Sequence, residues 1–231
     1  MDKSVYVREM FAAIAPRYDA TNRLMTAGAD EAWRRRAVRE LAPPAGGRIL
    51  DLCCGTGDLS FHLGRSDPSL RVDGVDFCQP MLDGATARAA RERTGDRVAF
   101  QLGDALALPF AEGTFDGATM GFAMRNVVDI AALLREARRV LKPGARFVNL
   151  DVSHAPNKLM RSLFDFYFYK IVPVVGGLIG GSKSAYRYLP ASLTNYPDAD
   201  RLATAFAAAG FSDARYVRLA GGTIAIHVGT A

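Results

Sequence analysis

The sequence predicts an α/β fold in which a mostly parallel sheet is covered by helices on both faces. After residue 46, short segments rich in Val, Ile, Leu and Phe alternate with helical patterns, and Gly-rich or polar turns separate them. This alternation is typical of parallel strands joined by crossover helices. With 231 residues, 49% of them hydrophobic, the chain can form one large core. We therefore expect a single domain over residues 1–231.

We divide this domain into four parts. Residues 1–42 show apolar residues at helical spacing and form an N-terminal helical cap, which Pro43 ends. Residues 46–151 form the ligand-binding core. Residues 152–196 interrupt its alternation of strands and helices and are interpreted as an insertion. Residues 197–231 form a helix and a strand hairpin turned by Gly221 and Gly222. The predicted strands are 48–52, 72–76, 98–102, 117–120, 146–150, 214–219 and 223–228.

The net charge of +5 leaves two kinds of surface open, one that binds an anionic partner and one that is merely solvated. The arginines are interleaved with helix-forming residues and form no long basic run. This pattern favours the solvated surface, so we predict no nucleic-acid partner.

Cysteine content indicates a reduced compartment. The three cysteines include the adjacent pair Cys53 and Cys54, and provide neither a disulfide framework nor the paired spacing of a zinc site. The N-terminus lacks the pattern of a secretory signal, and the longest apolar stretch, residues 171–181, is too short to span a bilayer. We expect a cytoplasmic protein without a metal site.

The strongest local motif is a strand that ends in a glycine turn and opens a helix. It runs Ile-Leu-Asp-Leu-Cys-Cys-Gly-Thr-Gly-Asp and contains Asp51, Gly55, Thr56 and Gly57. Glycines allow the backbone to approach a ligand closely at this point of a doubly wound sheet. Asp76 follows about 20 residues later at the end of the next strand, where a carboxylate can accept both hydroxyls of a ribose.

Two residues distinguish this motif from the motif of a dinucleotide-binding site. Such a site favours glycine at position 60, where this chain has Ser60, and the carboxylate of Asp51 suits a cationic ligand better than a diphosphate. The predicted ligand is an adenosyl group with a positive centre. Asp104 and the backbone amide of Ala105, at the end of the third strand, are expected to read the adenine edge.

These motifs resemble those of class I S-adenosylmethionine methyltransferases. The resemblance covers roughly residues 45–150 and implies a Rossmann-like fold with a seven-stranded, mostly parallel sheet and an antiparallel C-terminal strand. It also implies S-adenosylmethionine as the cofactor.

Three further stretches resemble the quinone-biosynthetic C-methyltransferases, which act on demethylmenaquinol and on polyprenyl-methoxy-benzoquinol. The first lies between Met10 and Arg34, the second is Met-Arg-Asn-Val at 124–127, and the third is Ser-Ala-Tyr-Arg-Tyr-Leu at 184–189. This resemblance runs over nearly the whole chain and implies a prenylated quinol as the substrate. The chain departs from the family pattern at His154, to which we assign no role. At Gly121 it lacks the hydroxyl that many family members place beside the cofactor.

Carbon methylation of a quinol requires stabilisation of phenolate charge and accurate placement of the ring. Arg125, just after the fourth strand, is the predicted electrostatic stabiliser, with Asn126 as a hydrogen-bond donor beside it. Tyr18 and Asp19 are expected to orient the quinol hydroxyls. The alternatives are a surface salt bridge for Arg125 and a helix cap for Asp19. None of His62, His154 and His227 is favoured as a base.

The insertion contains five aromatic residues between positions 164 and 169. They cannot all face one core from a helix, so Phe166 and Phe168 are predicted to bind a prenyl tail, together with Tyr186 and Tyr188 of the late motif. We expect the insertion to be a mobile lid, with hinge motion at Gly176, Gly177, Gly180 and Gly181, that contacts a membrane surface.

Other functions remain open from the sequence. A methyltransferase of another small molecule fits the cofactor motif equally well. A nucleic-acid methyltransferase is disfavoured because Met-Gly-Phe-Ala at 120–123 replaces the polar, Pro-Pro and aromatic residues expected there. A non-catalytic scaffold is disfavoured by the presence of both Asp76 and Arg125. The type of quinol ring, the tail length and assembly as a homodimer or in a quinone-biosynthetic complex are left open.

Overall fold

The computed structural model describes residues 3–179 and 183–231, which form helices around a seven-stranded sheet. The strand order is β3-β2-β1-β4-β5-β7-β6; β1 to β5 are parallel, and β7 is antiparallel to both of its neighbours. The strands are β1 Arg48–Leu52, β2 Arg71–Asp76, β3 Val98–Leu102, β4 Phe115–Gly121, β5 Leu141–Val152, β6 Ser212–Leu219 and β7 Ile224–Thr230. The predicted fold class is confirmed, and each predicted strand is present with ends shifted by no more than a few residues.

The helices of the cap and the core follow the predicted alternation. Those of the cap are α1 Lys3–Ile14, α2 Tyr18–Met25 and α3 Ala29–Leu41, with the 3-10 turn Ala15–Arg17 between the first two. Those of the core are α4 Asp58–Ser66, α5 Gln79–Glu92 and α6 Ile130–Val140. Helix α3 stops before Pro43 because Ala42 adopts a left-handed conformation at its C-terminus.

The order of the strands explains where a ligand can bind. Strand β1 is central and four of its five residues are buried, as expected for a parallel strand covered on both faces. The chain continues from β1 to β2, which pairs with β1 on one side, while β4 pairs with β1 on the other side. The carboxyl ends of β1 and β4 therefore flank the point at which the strand order reverses, and this is the usual place for a ligand crevice.

The described residues of the insertion between 158 and 194 are helical, whereas residues 152–157 and 195–196 are not. The insertion contains α7 Lys158–Phe166, a π-helical turn Tyr167–Ile171, α8 Val172–Ile179 and α9 Lys183–Thr194; α10 Ala199–Ala208 follows it. Pro173 follows the π-helical turn directly, where the Val172 amide donates to the Tyr167 carbonyl instead of following the regular α-helical pattern. Within the described residues, no helix is both long and apolar enough to span a membrane.

Gly176 does not show the hinge role predicted for it. It lies inside α8, and a Cβ atom there would be 2.1 Å from Cγ of Tyr186 in α9. Glycine is thus required for the close packing of these two helices. The predicted hinge residues Gly180 and Gly181 lie outside the described residues.

The substitution Gly176→Ala should lower the free energy of unfolding by about 1–3 kcal/mol, because the new methyl group overlaps the Tyr186 ring. The matched control is Gly84→Ala in α5, where a Cβ atom meets nothing within 4 Å. That change should be neutral or stabilise by up to about 1 kcal/mol, since alanine favours helix. Urea unfolding of both variants measures the difference, and equal stabilities would contradict this account of Gly176.

Candidate active site

A cavity of about 320 Å³ lies at the carboxyl ends of β1 and β4. Its walls come from the glycine turn after β1, the ends of β2 and β3, the segment after β4, and the N-terminal helices. The predicted residues that line it are Tyr18, Asp51, Gly55, Thr56, Asp76, Asp104, Ala105, Gly121 and Asn126. The fold thus brings together residues that are more than 100 positions apart in the sequence.

The turn after β1 requires unusual backbone conformations. Cys53, Gly55 and Gly57 all have positive φ angles, of 51°, 56° and 80°. At Gly57 a Cβ atom would also lie 2.7 Å from the ring of Phe100, so glycine is required by both conformation and space. The turn presents its backbone to the cavity and leads directly into α4.

Asp76 is fixed by two backbone amides. Its Oδ2 accepts a hydrogen bond from the Gly55 amide at 2.8 Å, and its Oδ1 accepts one from the Cys78 amide at 2.9 Å. Each oxygen retains a lone pair, so the carboxylate can still accept two hydroxyl hydrogens. Burial raises the pKa of Asp76, which these amide hydrogen bonds oppose. This arrangement suits the ribose role expected for Asp76.

Asp51 is a buried carboxyl group in the centre of the sheet. Ser60 donates a hydrogen bond to Oδ2 at 2.6 Å, and Thr119 donates one to Oδ1 at 2.9 Å. Despite these donors, burial raises the pKa of Asp51 to about 6. Proximity of a positive ligand would favour its ionised form. The serine that argued against a dinucleotide site therefore holds the carboxylate that faces the cavity.

The end of the cavity where Asp104 lies is more open. Asp104 is exposed and its Oδ1 accepts a hydrogen bond from the Leu106 amide at 2.9 Å, whereas Ala105 is buried beside it. At the opposite wall, a Cβ atom at Gly121 would lie 3.3 Å from Leu59 Cδ2. A side chain at this position would therefore press on α4.

The N-terminal cap contributes Tyr18 and Asp19. Tyr18 lines the cavity, and burial raises its pKa while the charge of Arg125 acts in the opposite direction. Asp19 does not cap α2, because no side-chain hydrogen bond is made at that helix start. It accepts a hydrogen bond from the Thr56 hydroxyl at 2.5 Å, and burial followed by repulsion from Asp58 raises its pKa. Asp19 thus joins the cap to the glycine turn.

Arg125 is not on the surface, so the surface salt-bridge alternative is wrong. Arg125 is 7% exposed, and its guanidinium donates hydrogen bonds to Asp151 at 2.5 Å and to the Phe122 carbonyl at 2.6 Å. The Nε atom of Arg125 and the Oδ1 atom of Asn126 are buried without a partner among the described residues. Asn126 lines the cavity, whereas Arg125 lies behind it.

The predicted tail-binding residues separate into different environments. Phe166 is 64% exposed and lines a second, open groove of about 510 Å³ beside Phe164 and Tyr169. Phe168 is buried and stacks on Phe164 with ring centres 4.9 Å apart, so it lines neither cavity. Tyr186 is buried beneath α8. The structure therefore leaves only Phe166 of these three at a surface that a tail can reach.

Tyr188 lies near the active site. Its ring is 5.5 Å from that of Tyr6 in α1, and its buried hydroxyl has no partner among the described residues. Burial raises its pKa, and the charge of Arg125 opposes this. Tyr188 and Tyr18 thus both experience the field of Arg125.

The histidines have structural contacts away from the main cavity. His154 Nε2 is 2.9 Å from the Tyr196 carbonyl, and His227 Nε2 is 3.0 Å from the Ala199 carbonyl. Burial lowers the pKa of His227 to about 4, so its ring is neutral at physiological pH. No histidine is among the described residues that line the main cavity.

Sequence reasoning missed several residues that support the site. Ser60 and Thr119 hold Asp51, Asp151 pairs with Arg125, and Arg34 of α3 lines the cavity. For Arg34 a signal was available, since it belongs to the N-terminal motif. Ser60 follows Asp51 by nine residues in the same motif, whereas Thr119 and Asp151 are identified only by contacts between distant segments.

The donor set fits an adenosyl ligand with a positive centre: a close backbone turn, a carboxylate with free lone pairs, and a buried carboxyl group whose ionisation a cation favours. Together with the strand order, these features define a class I S-adenosylmethionine-dependent methyltransferase. The fold agrees with that of a SAM-dependent methyltransferase from Thermotoga maritima, with a TM-score of 0.68 at 20% identity over 96% of this chain and 98% of the other.

The chain belongs to the ubiE/COQ5 methyltransferase family, whose model matches residues 1–231. It is 48% identical to the demethylmenaquinone methyltransferase of Thermus thermophilus, over 95% of this chain and 99% of that protein. It is also 39% identical to the ubiquinone/menaquinone biosynthesis C-methyltransferase UbiE of Geotalea uraniireducens, over 99% and 97% of the two chains. The family resemblance seen in the sequence is confirmed, and the protein is a methyltransferase that uses S-adenosylmethionine.

Replacing Asp76 with Ala should weaken S-adenosylmethionine binding by about 2–3 kcal/mol, because two charge-assisted hydrogen bonds to the ribose are lost. Isothermal titration calorimetry measures the change. Asp73→Ala is the matched control, since Asp73 lies on the same strand but pairs with Arg48 at the surface. Unchanged affinity in Asp76→Ala would remove Asp76 from the site.

Binding of S-adenosylmethionine should weaken at acid pH. Because burial raises the pKa of Asp51 to about 6, its carboxyl group is protonated below that pH, and a cation loses its partner. Affinity should be complete above pH 7 and fall by up to about tenfold per unit below pH 6. Asp51→Asn should remove this step, whereas Asp104→Asn should retain it. Persistence of the step in Asp51→Asn contradicts the assignment.

Proposed function

We propose that this methyltransferase transfers a methyl group to a ring carbon of a prenylated quinol in quinone biosynthesis. The single observation that carries the proposal is the composition of the cavity next to the cofactor motif. Here Phe11, Phe122, Val127 and Val128 surround the polar groups of Tyr18 and Asn126. A flat aromatic ring with hydroxyl groups at its edge fits such a lining, and relatives at 48% and 39% identity bear the names of quinone methyltransferases.

S-adenosylmethionine supplies an activated methyl group, so the protein's own residues mainly orient the acceptor and exclude water. Asn126 and Tyr18 are placed to bind hydroxyl oxygens of the quinol. The apolar residues from the cap and from the segment after β4 keep the ring out of water. Removal of the ring proton after methylation restores aromaticity, and the acceptor of that proton stays open.

Arg125 supports ionisation of the quinol through its charge, from its position behind the cavity wall. Its positive charge already favours the ionised forms of the two nearby phenols, Tyr18 and Tyr188, against the effect of burial. A quinol hydroxyl at the same place experiences the same field, which favours its ionisation to the phenolate, and the ring carbon of a phenolate is the better nucleophile toward the methyl group. Asp151 holds the guanidinium in position.

The direct test is methyl transfer by the purified protein from S-adenosylmethionine to reduced demethylmenaquinone and to a reduced demethylated benzoquinone, each with a short prenyl tail. Mass spectrometry should show a gain of one methyl group on ring carbon for at least one substrate. Complementation of a host that lacks its own enzyme then identifies the physiological ring. Methylation of neither ring, with activity on an unrelated small molecule, would favour the second candidate, a methyltransferase of another small molecule.

We also propose that the protein contacts a membrane surface through one face of α7 and the turn after it. Leu159, Leu163 and Phe166 recur at i, i+4 and i+7 and are 70%, 58% and 64% exposed. A helix with apolar residues on its solvent side is typical of an interfacial helix. Exposed Lys158 precedes this face and exposed Lys170 follows it in the next turn, and both suit anionic headgroups. A substrate with a prenyl tail would be presented at such a surface.

The paired substitution Arg125→Gln and Asp151→Asn removes both members of the ion pair and avoids leaving one buried charge alone. It should lower kcat by about tenfold or more while S-adenosylmethionine affinity stays near the wild-type value. Calorimetry and turnover assays measure the two quantities. Asp198→Asn, a helix-capping change remote from the cavity, is the control. Unchanged turnover of the double variant contradicts the role of Arg125.

Replacing Leu159 and Leu163 with Ser should release the protein from anionic liposomes in a flotation assay, because about 1.5–3 kcal/mol of apolar transfer per side chain is lost. Neither residue lines a cavity, so turnover of a tailless quinol should stay unchanged. Phe168→Ser is unsuitable because this buried ring stabilises the fold. Equal flotation of the double variant and the wild type would contradict membrane contact through α7.

A further inference from the structure

The charges around the main cavity are unequal. Among the described residues that line it, four are carboxylates, Asp51, Asp58, Asp76 and Asp104, whereas Arg34 alone is cationic. S-adenosylmethionine carries two positive groups, a sulfonium and an ammonium, and one negative group, the carboxylate of its amino acid part. The carboxylates of the site have partners among the ribose hydroxyls and the positive groups. The carboxylate of the ligand needs a cation.

We propose that Arg34 binds the carboxylate of S-adenosylmethionine and thereby selects ligands that have an intact amino acid part. Its side chain is 7% exposed, yet it reaches the cavity from α3. The guanidinium lies over the ring of Phe122 at 5.4 Å, next to the turn that contains Asp58. The inference rests on the cofactor, which the family defines, and does not depend on the quinol substrate.

The contacts of Arg34 leave donors for a ligand. Nη1 donates to Asp30 one turn earlier in α3, and Nη2 is 3.3 Å from Oδ2 of Asp58. A guanidinium has five N–H groups, so these contacts use only part of its capacity. Packing over Phe122 and the bond to Asp30 fix the plane of the group. A planar guanidinium held in this way can bind a carboxylate through two parallel hydrogen bonds, which a lysine cannot do.

The alternative is that Arg34 only neutralises Asp30 and Asp58. The site offers a second arginine that separates the two possibilities. Arg88 of α5 donates to Asp58 Oδ1 at 2.6 Å and also pairs with Glu92, but it does not line the cavity. Its removal therefore changes the charge balance of Asp58 in the same direction without removing a ligand contact. Arg88→Gln is the matched control for Arg34→Gln.

The test is calorimetric binding of two ligands, S-adenosylmethionine and its decarboxylated form, which keeps both positive groups. The wild type should bind S-adenosylmethionine roughly 10- to 100-fold more tightly, since one bidentate charged contact is lost with the carboxylate. Arg34→Gln should lose this preference by weakening the first ligand alone. Arg34→Lys should retain part of it, and Arg88→Gln should retain it in full.

Two results would overturn the proposal. One is a wild-type protein that binds both ligands equally, an outcome that requires no variant to fold. The other is an Arg34→Gln variant that weakens both ligands by the same factor, which would identify Arg34 as a structural ion-pair partner. Thermal unfolding of each variant verifies that the folded state is compared. Because the binding assay contains no quinol, either of these results would leave the proposal about the methyl acceptor unaffected.

Discussion

The burial of the Asp51 carboxyl group in the central strand is the constraint on which the site depends. Burial raises its pKa to about 6, and two hydroxyl donors, Ser60 and Thr119, offset only part of the cost. A positive ligand supplies the remaining stabilisation of the ionised form. The glycine turn after β1 lines the same cavity as Asp51, and its positive φ angles at Gly55 and Gly57 allow the backbone to turn closely around a ligand. The site is therefore electrostatically suited to a cation.

Sequence patterns gave the core of the fold and the cofactor motif because both depend on local features. Each parallel strand is a short apolar run, and the residues that follow it, such as Asp76 and Asp104, necessarily meet at one edge of the sheet. The pairing of Arg125 with Asp151 is different. These residues are 26 positions apart, and no local pattern indicates that one carboxylate of β5 turns toward the end of β4. Local sequence patterns do not indicate which helices pack together either. For this reason Gly176 was interpreted as a hinge residue.

The cap and the insertion meet over the same edge of the sheet and are joined to it by polar contacts. Asp19 accepts from Thr56 of the glycine turn, and Lys3 donates to the carbonyl of Val127 at 2.9 Å. From the insertion, the Tyr167 hydroxyl donates to the Met25 carbonyl at the end of α2. Phe11 and Tyr18 of the cap close the cavity between these contacts. The main cavity is thus lined by the cap and by the segments that follow the strands, whereas the described residues of the insertion line the second groove.

The distribution of charge in the cavity also agrees with catalysis. A carboxylate close to the sulfonium would stabilise the positive methyl donor more than the transition state, in which that charge is being lost, and would slow transfer. The carboxylates come from the β1, β2 and β3 ends and from the start of α4, whereas Phe122, Ala123 and Val127 form the wall after β4. The cofactor's fixed polar groups and the reacting methyl group can therefore occupy different environments. In the proposed reaction, Arg125 behind this apolar wall favours the ionised form of the acceptor hydroxyl, the form whose ring carbon is the better nucleophile.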